Sequence, residues 1–258
     1  MIRILKVCTL DLTELETPAE LAKQLRRADD FIRLAVVGGY HVFRETTETE
    51  DVPHERRGLF LGTAFGTMET NFDVLDQIIS GEQTSPILFS HSVFNAAAGY
   101  MASVFSLRGC SLTVTDFSLP FFRALEQGVL AIASGMLDSC LVLQVESYSE
   151  LLNDAAGKMN QDFQSWTPGV VCWLLTNSDQ GGGWFLEKVS VESGIPEETE
   201  CFPENFGEII INNHKRCECL DPLAPARILT KEMAGDETSS LDCLVRTSSV
   251  TVRCILQV

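Results

Sequence analysis

Four histidines and nine cysteines, with scattered serines, are the side chains here that could do acid-base, nucleophilic or metal chemistry. His214, Cys217 and Cys219 stand as H-x-x-C-x-C, a donor set suited to zinc, but no fourth ligand or second paired knuckle accompanies them. No metal is expected there. Cys110 follows Leu107-Arg108-Gly109 at the start of a strand and Cys140 opens another, positions where a thiol acts as a small buried hydrophobe. His41 and His54 fall near a loop, and His91 precedes or caps a helix, where a structural hydrogen bond accounts for it. Ser92 and Ser118 lack the surroundings of a nucleophile elbow. The Gly62 to Gly66 turn and the Gly181-Gly182-Gly183 triplet carry neither a dinucleotide fingerprint nor a P-loop ending, so no cofactor is expected. An independent acyl-transfer enzyme or hydrolase would have to use Cys110, Cys140 or a serine.

The elements that must position these groups follow from period and punctuation. Met1 to Val7 alternates as a strand. Thr17-Pro18-Ala19-Glu20 has a capping-box pattern with proline at the first helical position, predicting a helix from Pro18 to about Arg27. Phe31 to Val37, followed by Gly38-Gly39, fits either a strand and turn or one face of a helix. Residues 45–57 read as an exposed loop. From Gly58 the pattern sharpens into a strand at 59–64, a helix from Thr67 to Ile79 stopped by Ser80-Gly81, and an extended loop through Pro86. A helix at 92–106, a strand at 111–115, a helix at 118–134 and a strand at 139–145 continue the alternation, which predicts a buried, largely parallel sheet. Two strands, Val170 to Thr176 and Trp184 to Val191, join through the glycine triplet. Beyond them come a short strand at Glu208 to Ile211, a helix from Pro222 to Met233, and strands at Leu241 to Arg246 and Val250 to Gln257. Phe65, Met68, Phe72, Leu75 and Ile79 recur at helical spacing, and Leu75 and Ile79 are expected in the core.

Composition narrows the function classes. Of 258 residues, 45% are hydrophobic, enough for a substantial core. A formal charge of −17 disfavours nucleic acid and anionic membrane surfaces, and it equally repels an acidic carrier protein. The opening strand has no leader-peptide pattern, no apolar run approaches a membrane span, and the odd, unpaired cysteines fit reduced thiols. A cytoplasmic location is the expectation.

Ordered blocks carry a family resemblance. Gly-Leu-Phe-Leu-Gly-Thr-Ala-Phe-Gly at 58–66, Ser85 to Gly99, Leu107-Arg108-Gly109, Ser111 to Ser118 and Leu141 to Glu146 resemble, in that order, the N-terminal half of a β-ketoacyl synthase of the thiolase superfamily. They look most like the short chain-length factors of aryl polyene and related type II polyketide systems. The resemblance implies an α/β, thiolase-like fold, with a ketosynthase-like N-terminal domain at 1–191 and a reduced C-terminal remnant at 192–258 packed on the same core. It also favours the helical reading of Phe31 to Val37. In such enzymes a cysteine at a strand-to-helix turn takes the acyl chain, and the matching position here is Phe117. The resemblance therefore implies a non-catalytic subunit that pairs with an active ketosynthase as a heterodimer and meets acyl carrier protein only through that partner. It further implies that Phe65, Met68 and Phe72 form the gate of the partner's acyl tunnel and limit chain growth.

Overall fold

The computed structural model describes residues 1–44, 46–159, 163–178, 181–193, 206–235 and 239–258. Ten strands form one continuous sheet. They are β1 (Ile2–Asp11), β2 (Arg57–Thr63), β3 (Ser111–Thr115), β4 (Ser139–Glu146), β5 (Gly169–Asn177), β6 (Trp184–Ser193), β7 (Glu208–Ile211), β8 (Lys215–Glu218), β9 (Ser240–Arg246) and β10 (Val250–Gln257). Their order across the sheet is β3-β2-β4-β5-β1-β6-β10-β9-β7-β8. Seven α-helices accompany them among the described residues: α1 (Asp30–Phe43), α2 (Met68–Ile79), α3 (Pro86–His91), α4 (Ala96–Val104), α5 (Pro120–Ala133), α6 (Glu150–Met159) and α7 (Ala224–Met233).

The expectation of a largely parallel sheet is corrected. Only β3, β2 and β4 run parallel, and the other pairings are antiparallel. Helical crossovers link the strands from β2 to β4, whereas short turns join β7 to β8 and β9 to β10, where a tight return forces opposite directions, and β1 lies between β5 and β6, antiparallel to both. The helix expected over Pro18 to Arg27 is a chain of turns instead. Leu21 and Leu25 anchor that segment in the core while Lys23, Arg26 and Arg27 stay exposed, too short a stretch to sustain a helix by propensity. The helix predicted at 92–106 is the shorter α4, and a further helix, α3, precedes it: the loop expected to run through Pro86 ends there because proline starts α3 with Ser85 as its cap.

Phe31 to Val37 lies in α1. Its N-cap Asp29 accepts a bond from the Ile32 amide at 2.9 Å and another from the Thr70 hydroxyl at 2.8 Å, tying α1 to α2. Gly38 and Gly39 permit close packing inside this helix: a Cβ would sit 2.8 Å from Val170 Cγ1 at the first and 2.7 Å from Met101 Cε at the second. Alternation along β2, β4 and β5 divides the core. Leu59, Leu61, Leu141, Leu143, Val170 and Cys172 face α1 and α4. Phe60, Val142, Val171 and Trp173 face the opposite way, into a cluster shared with α5, α7 and the inward residues Cys243, Val245, Val252 and Cys254 of the C-terminal strands. This face of the sheet packs on α5 and α7. Trp173 Nε1 donates to Thr230 Oγ1 at 2.8 Å and fixes α7 against β5.

Outward-facing positions of the C-terminal strands carry cross-strand charge. Arg253 meets Asp242 at 2.6 Å, and Glu208 lies between Arg216 and Arg246 at 3.6 and 4.0 Å. Such a face tolerates water without a covering helix.

Candidate functional site

Because β2, β3 and β4 are parallel, their C-terminal ends lie side by side, and the turns after Thr63, Thr115 and Glu146 converge there. The turn after β3 holds Asp116 and Phe117. Asp116 Oδ1 accepts hydrogen bonds from the Ser118 and Leu119 amides, each at 2.8 Å, and its other oxygen meets Arg123 Nε at 3.4 Å. This carboxylate occupies the approach to the N-terminus of α5, where the helix dipole would otherwise favour a substrate-derived anion or a thiolate. Phe117 is 67% exposed, and its ring lies 5.7 Å from that of Phe65. A phenyl ring can form no thioester.

The turn after β2 is held by a buried acid. Glu146, the last residue of β4, has no exposed surface. Its Oε1 accepts from the Ala64 amide at 2.6 Å and from Gln144 Nε2 at 3.1 Å, while Oε2 accepts from the Phe65 amide and Thr63 Oγ1, both at 3.2 Å. Thr63 Oγ1 in turn accepts from the Gly66 amide at 2.8 Å. Burial pushes the Glu146 carboxyl up to about 7, against the opposing pull of these donors. Gly66 has φ +56°, and a side chain there would strike the Phe94 ring lying across the turn.

Phe65 points into an aromatic cluster. Its ring stacks on Trp166 at 5.3 Å and lies 6.0 Å from Tyr148, with Phe163 and Phe206 against the other sides of Trp166. Met68 packs on the same group and Phe72 is half-buried one turn further along α2. Leu75 and Ile79, expected in the core, are 48% and 74% exposed. The physical reason is the face of α2 turned inward: Thr70 and Val74 are buried, which leaves the Met68-Phe72-Leu75-Ile79 stripe emerging from the surface.

The remaining candidates lie apart. Cys140 is fully buried and its thiol is pushed far up by desolvation, whereas Cys110 is exposed. His91 is buried in a groove between α3 and α4, with Nε2 2.9 Å from the Tyr100 hydroxyl. Ser92 Oγ donates to the Phe89 carbonyl at 2.8 Å. His214 is exposed at the β7–β8 turn, Cys217 is half-buried and Cys219 is buried. The Asp116 cap, Tyr148, Trp166 and the Glu146 clamp escaped sequence reasoning. An ionisable residue closing the apolar run Leu141 to Val145 was the available signal for Glu146.

Residues 17–167, more than half of the chain, match the family model described as beta-ketoacyl synthase, N-terminal domain. The chain belongs to that family. Its ketosynthase-like fold is similar to a chain of the ketosynthase (ApeO) in complex with its chain length factor (ApeC) from Xenorhabdus doucetiae, with a TM-score of 0.66 at 17% identity over 100% of this chain and 99% of that one. It is also similar to the ishigamide ketosynthase/chain length factor, with a TM-score of 0.59 at 19% identity over 72% of this chain and 54% of that one. A third likeness is to AntDE:AntF, a type II PKS acyl-carrier protein in complex with its ketosynthase, with a TM-score of 0.61 at 16% identity over 75% and 69% of the two chains. No curated protein matches this chain in sequence. Among the described residues no helix is long and apolar enough to cross a membrane.

Proposed function

We propose that this chain is a non-catalytic, chain-length-factor-like subunit of a cytoplasmic condensing complex. It pairs with an active ketosynthase as a heterodimer and limits how far the acyl chain grows. The observation that carries the reading is the Asp116-Phe117 turn: by the sequence resemblance a phenyl ring stands where the family places its acyl-accepting cysteine, and a carboxylate takes the Ser118 and Leu119 amides ahead of α5. The turn holds no nucleophile, and a fixed negative charge stands in front of the helix dipole that would stabilise a thiolate or oxyanion. The partner subunit supplies the thioester chemistry and receives the malonyl-bearing acyl carrier protein, since this chain's charge of −17 repels an acidic carrier.

Two further features support pairing and length control. Exposed Phe89, Val93, Phe94 and Leu112 lie on or beside α3, α4 and the edge strand β3, an apolar surface suited to a large subunit interface. Phe65, Met68 and Phe72 form the gate in this reading, with the Phe65 ring braced by Trp166 and the half-buried Phe72 free to face a partner's tunnel. Residues 192–258 act as a reduced second half that closes the core rather than adding catalytic histidines.

Reconstitution tests this function. The unmixed chain should not condense acyl and malonyl groups, the pair should, and omitting the chain should alter the product-length distribution read by mass spectrometry. Robust condensation by the unmixed chain would sink the assignment.

A further inference from the structure

We propose that Glu146 is the positioning residue of the gate, its carboxylate clamping the Thr63–Gly66 turn and so fixing where Phe65 and the start of α2 sit. The proposal of a gate comes from the functional reading above; the clamp itself stands on geometry. Both oxygens of one side chain reach across from β4 to the turn after β2 and take two main-chain amides and one hydroxyl, at 2.6 to 3.2 Å. Gln144, on the same strand, supplies the fourth donor. The side chain is fully buried, and among the described residues no cation pairs with it.

A buried carboxylate held only by neutral donors is an expensive way to end a strand, because a well-packed apolar residue avoids the desolvation penalty. What an apolar residue cannot do is accept two adjacent amides at once. Ala64 and Phe65 leave the ladder at the end of β2, and α2 begins three residues after Phe65, so their N–H groups have no strand or helix partner. Glu146 satisfies both and sets the direction in which the chain leaves the sheet. Phe65 is braced from one side by Trp166 and fixed at its backbone by this acid, so the aromatic ring is held on two sides. The residue acts through the turn and touches no substrate.

The test replaces Glu146 with Gln, whose amide keeps the shape but presents a donor to one of the two N–H groups, and with Asp, whose carboxylate keeps the charge but falls short of the turn. Both are made in the complex with the ketosynthase partner. Hydrogen exchange at Ala64 and Phe65 should quicken about tenfold or more in each variant while Val142 in β4 is unchanged. Wild-type exchange at both amides through the Asp variant overturns the proposal, because a merely electrostatic or packing role would survive there. Should neither variant pair, the wild-type complex decides: Ala64 and Phe65 must exchange as slowly as β4 amides, and exchange like an open turn overturns the clamp. Product length is read alongside, with Phe72→Ala as the reference for the gate. A Phe72→Ala complex with unchanged products removes the gate reading and leaves the exchange result to judge Glu146 alone.

Discussion

In the proposed reading, the Asp116 carboxylate separates its turn from a working acyl-transfer site as much as the absence of a thiol at Phe117 does. Asp116 accepts the Ser118 and Leu119 amides at 2.8 Å, so its charge sits where a helix N-terminus would stabilise a thiolate. Installing the nucleophile by Phe117→Cys should leave the unmixed chain inactive, and its thiol should titrate at or above the ordinary value of about 8.5 rather than in the depressed range of reactive cysteines. Alkylation rate against pH measures this, and a thiol titrating below about 7 would contradict the role given to Asp116. Glu146 supplies the second expectation at this scale. Burial raises its folded carboxyl to about 7 from an ordinary value near 4.5, so the folded state holds a proton that the unfolded state releases between those values. The stabilisation from that proton is complete below about 4.5 and is lost as pH rises through 7, a fall of roughly 3 kcal/mol. Unfolding curves of wild type and Glu146→Gln should therefore diverge from pH 5 to 8, the wild type losing ground as pH rises. Parallel curves would place the carboxyl in an ordinary ionisation range.

Elements decide which apolar residues are structural and which face a partner. On α2 the residues at helical spacing from Met68 to Ile79 read as one stripe, yet the helix rests on Thr70 and Val74. Shortening Phe72 to alanine should lengthen the products of the reconstituted pair while condensation persists, because the freed volume opens toward the partner. Val74→Ala is the matched core control, expected to cost roughly 1 to 3 kcal/mol of stability without moving the product distribution. Mass spectrometry of both pairs checks this, and an unchanged distribution in a folded, paired Phe72→Ala subunit excludes Phe72 from the gate. Leu75, at 48% exposure, cannot serve as that control. Strands with sustained apolar runs, β2, β4 and β5, were legible in the sequence because burial on both faces confines polar residues to their ends. So was the Phe65 turn, marked by its two flanking glycines. The change from parallel to antiparallel pairing at β5 was not, since strand direction depends on how a connection travels. Nor was β8, although Asn212 and Asn213, at φ 50° and 63°, spell a tight hairpin turn. The Glu146 clamp depends on β2 and β4 being neighbours with adjacent C-terminal ends, a fact of register that neither segment carries alone.

The two edges of the sheet differ in a way that concerns the molecule as a whole. At one end β8 is four residues long and bears Lys215, Arg216 and Glu218, the charged and short form that keeps an edge strand from adding another chain. At the other end β3 reads Ser-Leu-Thr-Val-Thr, without charge, and Leu112 is 38% exposed on it. An uncharged edge carrying the exposed Leu112 is consistent with pairing there, whereas the charged edge and the ion-paired outer face of β9 and β10 are built for water. Placing a charge on the open edge separates these cases. Leu112→Lys removes an apolar contact worth roughly 2 kcal/mol and buries an ammonium in any interface that forms, so association with the ketosynthase should weaken about thirty-fold or more. The subunit itself should still fold, because Leu112 lies at an exposed position and β2 continues to pair with β3 through the backbone. Coexpression yield and size-exclusion chromatography of the two chains measure the outcome, with Leu112→Ala as the milder step in the same direction. Undiminished complex formation by a folded Leu112→Lys subunit would move the interface away from β3.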